Sequence, residues 1–136
     1  SDFQAAVGVA QLDRLHRFCE IRRSNHAYLR AGLDGLPLEF VEATPNSDPS
    51  WFGFPFLTER RNELARYLDK HNVGNRPIMA GNIMRQPAYR DIDIHVIGNL
   101  DGANKIHEQG LWVGVFPGIN QDMCDYVIEV FHEFYK

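Results

Sequence analysis

The sequence predicts an α+β protein: a small mixed or antiparallel sheet of three or four strands with helices on one face. Segments with helical apolar spacing and segments with period-two spacing alternate as helix, strand, strand, helix, strand, helix, strand, helix. No strand leads through GxGxxG into a helix, so a dinucleotide-type parallel sheet is not indicated. At 136 residues, 44% hydrophobic and 24% charged, the chain suits one domain with a genuine core.

Residues 1–31 read as one long helix. Ser1 and Gln4 have capping-box spacing, in which a hydroxyl and an amide satisfy orphan backbone donors at the helix start. Phe3, Val7, Ala10, Leu15, Phe18 and Leu29 fall at roughly helical spacing, with charges on the other side. Ala5, Ala6, Gly8 and Ala10 keep the first half thin enough for another backbone to approach. Gly32 and Gly35 supply the stop.

Leu36–Ala43 alternates in part and predicts a short strand, followed by the turn-rich Thr44–Ser50. In "WFGFPFLT" (51–58), Phe52, Phe54 and Phe56 share one face at period two. Pro55 lacks a donor, so this strand is expected at an edge or bent. Residues 59–74 predict a helix with Leu64, Tyr67 and Leu68 inward and Gly74 at its end. Ile78-Met79 predicts a short strand running into a loop. "DIDIHVIG" (91–98) alternates but is heavily charged. Residues 100–110 predict a short helix with Asn99 or Asp101 near its start. Residues 111–118 predict a strand closed by Pro117-Gly118. The terminal segment predicts a helix capped near Asn120 or Gln121, with Met123, Tyr126, Val127, Val130 and Phe134 inward.

The formal charge of −4 and the scattered arginines exclude the basic footprint of a nucleic-acid binder. Arg22-Arg23 and Arg60-Arg61 read as solvated helix faces. No apolar run approaches the about 20 residues of a membrane helix, and no signal peptide opens the chain, so the cytoplasm is the expected compartment. Cys19 and Cys124 read as buried free thiols, since two distant cysteines make neither a zinc site nor a disulfide framework. The six histidines include no HxH or HxxxH pair, which argues against a metal centre. His16, His26 and His132 fall on helices, and His71 sits where a helix dipole favours it. Asp91 and Asp93 suit a solvated edge better than paired acid–base work. Ser24, Ser47 and Ser50 lack the setting of a nucleophile.

Three places still look like sites. Trp51 follows a rigid turn and could stack on a ligand, or simply fill the core beside that turn. In "AGNIMRQPAY" (80–89), Gly81 permits close backbone approach. Asn82 and Gln86 there offer donors and acceptors, and Arg85 suits a phosphate or carboxylate. The "VFPGIN" turn is explained by its tightness alone.

Four blocks carry a resemblance: "SDFQAAVGVAQLDRL", "ATPNSDPSWFGFP", "RNELARYLDKHNVGNRPIMAGNIMRQPAY" and "LWVGVFPGI". Together they resemble the C-terminal part of the sugar-nucleotide aminotransferase/dehydratase family of fold-type I, vitamin-B6-dependent enzymes. "DFQAAVGVAQL" is broadly shared in that family. "SDPSWFGFP" and "AGNIMRQPAY" resemble its dehydratase branch, and most of all the 3-dehydratases of CDP-4-dehydro-6-deoxyglucose that serve 3,6-dideoxyhexose (O-antigen) biosynthesis.

The resemblance implies a dimer whose large domain holds pyridoxamine or pyridoxal phosphate and whose small domain closes over a nucleotide-sugar. In the dehydratase branch a histidine replaces the Schiff-base lysine. In the CDP-sugar enzymes a 2Fe-2S cluster and a partner reductase deliver electrons. The family's catalytic base, its pyridine-pairing aspartate and its cluster cysteines all lie upstream of "DFQAAVG". Residues 1–136 are therefore expected to be a single small C-terminal domain without the large domain, holding no catalytic residue and inactive alone. Asn82, Arg85, Gln86 and Trp51 are its expected substrate-binding residues. A GDP-4-keto-6-deoxymannose dehydratase, a pyridoxal-phosphate-dependent sugar aminotransferase and a stand-alone binding module are the alternatives.

Overall fold

The computed structural model describes residues 1–136. Its helices are α1 (Asp2–Gly32), α2 (Arg61–Lys70), α3 (Asp101–Gln109) and α4 (Gln121–Phe134), and its strands are β1 (Glu39–Phe40), β2 (Gly53–Leu57), β3 (Asn75–Pro77) and β4 (Gly110–Gly114). The strands form one antiparallel sheet in the order β1-β2-β4-β3. The expected α+β class and element order are those observed.

Register decides which residues enter the core. Phe54 faces Val113 and Phe56 faces Leu111, and paired residues of antiparallel strands share a face. That face packs with Leu29 and Leu33 at the end of α1, Leu64 and Leu68 of α2, and Val130 and Phe131 of α4. Each of these aromatic and aliphatic side chains contributes about 1.5–3 kcal/mol by leaving water. The opposite face carries Pro55, Trp112 and Arg76, which lie beside one another across β2, β4 and β3.

Several expectations need correction. Phe52 does not join Phe54 and Phe56: it precedes β2, is 67% exposed, and its ring lies 5.1 Å from Trp112 on the opposite face. The first half of α1 stands clear of the sheet. Phe3, Val7 and Leu15 are exposed there, and only Leu29 of the apolar series is buried. In α4 the inward stripe runs through Cys124, Val130 and Phe131, while Met123 and Tyr126 stay about half exposed. The strand expected at Ile78-Met79 lies earlier, at Asn75–Pro77. Asn75 holds it there, with its amide donating to Asp69 and to the Ala65 carbonyl of α2. Met79 then takes φ 35°, a conformation no strand continues through. β1 shrinks to two residues.

That short β1 resolves the question of Pro55. β1 pairs only with Phe56 and Leu57, so no ladder bond is demanded of Pro55 on that side. α1 ends at Gly32, where a Cβ would meet the Ile128 side chain at 2.2 Å. The close approach ties α1 to α4, as does a 2.8 Å bond between His132 Nε2 and the Gly32 carbonyl. α2 ends at Lys70, before Gly74, with Asn72 in the left-handed region at φ 57°. Both cysteines are free, Cys124 buried and Cys19 half-buried.

Candidate functional site

β3 ends at Pro77 and α3 begins at Asp101. The intervening segment contains only two short 3-10 turns, Ile83–Arg85 and Pro87–Tyr89. Unstructured stretches of this length inside a compact fold are uncommon and tend to be binding loops or lids. Asp91 and Asp93 lie exposed on it.

Each of the four expected site residues has a definite place. Asn82 is only 3% exposed. Its Oδ1 accepts from the Met84 N–H at 2.9 Å, capping the first 3-10 turn, and its Nδ2 donates to Asn104 Oδ1 at 2.8 Å. Both ends of the amide are thus used within the chain. Arg85 reaches Glu108 of α3 at 2.6 Å and keeps 44% of its side chain exposed. Gln86 Nε2 donates to the Ala80 carbonyl at 2.7 Å and draws the loop closed, which leaves its Oε1 without a protein donor.

Trp51 stacks on His26 with ring centroids 4.6 Å apart and planes 8° from parallel. Arg22 fixes its backbone by donating to the Trp51 and Phe52 carbonyls at 3.3 and 3.1 Å. Burial pushes the His26 imidazole below its ordinary 6.5; nearby Glu42 works against that shift and Arg30 adds to it.

Two depressions adjoin on this side of the molecule. An apolar one of about 170 Å³ runs over the free sheet face between Trp51, Phe52, Pro55 and Trp112. Gly53 makes room for the indole, since a Cβ there would come 2.3 Å from Trp112 Cε3. A second of about 260 Å³ is lined by Arg61, Gln86 and His107. Ile78 and Met79 line both. Asn82, Arg85 and Gln86 therefore share one loop, and Trp51 meets only the stem of that loop.

The sequence reading missed Asn104, His107 and Glu108. All three engage the loop from α3, through Asn82, the Asn82 backbone and Arg85 respectively. Their spacing was the available signal, because positions i, i+3 and i+4 share a helix face. Asp101 is the first residue of α3, in line with its expected place near the start, and Leu100 is the N-cap.

The coenzyme implied by the resemblance does not fit the groups present. A phosphate and a pyridinium ring need convergent donors and a buried acid. The only buried polar side chains are those of Asn25, Thr58 and Asn82, none of them charged. The loop guanidinium is paired with Glu108, and Lys105 is paired with Glu39. No group of three or more His, Cys, Asp or Glu is placed to hold a metal ion, and no helix is long and apolar enough to cross a membrane.

Comparison with known proteins gives this geometry its setting. Lipopolysaccharide biosynthesis protein RfbH of Salmonella typhimurium is 42% identical over 142 residues, covering 99% of this chain and 32% of its own. The dTDP-4-dehydro-2,6-dideoxy-D-glucose 3-dehydratase of Saccharopolyspora spinosa is 40% identical, covering 98% of this chain and 30% of its own. A solved structure of E. coli GDP-4-keto-6-deoxy-D-mannose-3-dehydratase with bound hydrated PLP superposes with a TM-score of 0.83 at 32% identity. It covers 93% of this chain and 34% of that one. The chain thus spans about a third of the length of these relatives. The family model matches residues 1–132, a span that includes all four sequence blocks. With motif, fold and family model in agreement, the chain belongs to the DegT/DnrJ/EryC1/StrS aminotransferase family.

Proposed function

We propose that this chain is the C-terminal, substrate-closing domain of a pyridoxamine-phosphate-dependent sugar-nucleotide 3-dehydratase in dideoxyhexose and lipopolysaccharide O-antigen biosynthesis. The observation that carries the reading is the 40% identity to a sugar-nucleotide 3-dehydratase along 98% of the chain. On this reading the coenzyme, the catalytic base and any iron–sulfur cluster belong to the preceding large domain. The whole enzyme works as a cytoplasmic homodimer, with an iron–sulfur reductase as electron donor in the CDP-sugar case.

The contribution of residues 1–136 is binding and exclusion of water. Closing domains complete a site that is otherwise open to solvent. Arg85 is half-exposed on a loop and is restrained only by Glu108. A diphosphate offers the guanidinium a charge-assisted contact of higher charge than one carboxylate. Gln86 Oε1 is the acceptor left for a sugar hydroxyl, and Trp51 with Trp112 borders the apolar floor. Asn82 serves the site by shaping the loop.

The test is Arg85→Ala in the full-length enzyme. Loss of a charge-assisted contact weakens nucleotide-sugar binding by about 1.5–3 kcal/mol. Folding stability changes by no more than about 1 kcal/mol, because the Glu108 pair is exposed. Titration calorimetry and urea unfolding measure the two effects. Unchanged substrate affinity makes Arg85 structural and removes the loop from the substrate site. An aminotransferase reading is favoured by the name of the matching family; a lysine at the base position of the large domain decides for it, a histidine for the dehydratase.

A further inference from the structure

Three contacts converge where the loop meets α3. The Asn82 backbone N–H donates to His107 Nδ1 at 3.3 Å, and the Asn82 side-chain amide donates to Asn104 one helical turn earlier at 2.8 Å. Gly81, at φ 58°, passes so near that a Cβ would lie 2.7 Å from His107 Nδ1 and 2.9 Å from its Cα. The loop is therefore seated against the ring, and only glycine permits that approach.

A ring nitrogen that accepts a hydrogen bond carries no proton, so this contact requires the neutral imidazole with its hydrogen on Nε2. We infer that His107 is the positioning residue of the candidate loop. Its Nδ1 lone pair, together with the Asn104 amide, fixes Asn82 on α3 and so sets where Arg85 and Gln86 are presented. The consequence for substrate rests on the reading proposed above; the latch itself does not.

Protonation of Nδ1 would set donor against donor at Asn82. The charged groups around the ring are Arg61 of α2, which donates to the His107 carbonyl at 3.2 Å, and Glu108 on α3, paired with Arg85 of the loop. A guanidinium offers only donors and the Glu108 carboxylate is engaged with Arg85, so neither takes over the Asn82 N–H. The loop is therefore held by the acceptor at Nδ1, which a side chain without one does not supply.

Amide hydrogen exchange of the full-length protein, read by mass spectrometry, tests this with His107→Leu and His107→Asn. The asparagine keeps an acceptor near Nδ1. In His107→Leu, peptides from residues 80–90 should exchange at least about tenfold faster while those from β2 and β4 stay unchanged. His107→Asn should retain most of the protection. Equal loop protection in His107→Leu and wild type overturns the inference, as does a His107→Asn loop as unprotected as that of His107→Leu. Should His107→Leu lose protection throughout, the comparison of wild type with His107→Asn decides. Binding of CDP-, GDP- and dTDP-linked 4-keto-6-deoxyhexoses to the same variants keeps the two readings apart. A loosened loop with unchanged binding leaves the latch standing and removes the loop from the substrate site.

Discussion

At the scale of single residues, the side chains that flag a site in the sequence are mostly occupied with holding it. Asn82 is an example: an amide amid apolar residues marks the segment, yet its partner Asn104 lies on α3. Residue type was legible there, whereas the choice of partner depends on tertiary placement, which no local spacing contains. His26 makes the same point through its titration. Burial under Trp51 and Phe54 lowers its pKa from 6.5, so the unfolded chain binds the proton first as pH falls. The stability it supports is complete above the unfolded value and is lost as pH falls through the lowered folded one. The midpoint of urea unfolding should therefore drop between about pH 8 and about pH 5, and drop less in His26→Phe, which keeps an aromatic stack without a titrating group. An equal drop in both proteins rules out His26 as the source.

At the scale of elements, the periodic segments were the most readable. α2 and α4 occupy the expected stretches because leucines and aromatics recur there at helical spacing. The start of α4 was read to within one residue: Asn120 Oδ1 accepts from the Met123 N–H at 2.9 Å. Asn120→Ala should cost about 0.5–2 kcal/mol by leaving that donor unpaired, measurable by chemical denaturation. A change inside experimental error would show that water replaces the cap. The strands were less legible. β1 and β3 are two and three residues long, too short for alternation to define their ends. β3 is placed by a side-chain bond from Asn75 to α2. The loop beyond it was recognisable as a loop, but its docking on α3 was not, because the 3-10 turns have no period to read.

For the whole molecule, the decisive junction is the core where β2 and β4 meet α1 and α4. Phe131 is fully buried there, edge-on to Phe56 at 5.4 Å. Phe131→Ala should destabilise the fold by about 3–5 kcal/mol, seen as a lower thermal midpoint; a shift equivalent to less than about 1 kcal/mol would mean that the neighbours collapse into the space. Fold class and sheet size were legible from the order of the periods, but the fate of the long first helix was not. Its early apolar residues have the same spacing whether they meet this chain or stand free of it. That helix has a mechanical consequence. Arg22, Arg23 and Asn25 clamp it, donating to the Trp51, Phe52, Asp48, Phe116 and Ile119 carbonyls, and the stretch before Arg22 extends about 32 Å at 1.5 Å per residue. Such a stretch acts as a lever whose fulcrum is the turn from Arg22 to Asn25. A tilt of about 5° there sweeps the far end through about 3 Å, so a small repacking at the β4–α4 turn is magnified where the helix begins.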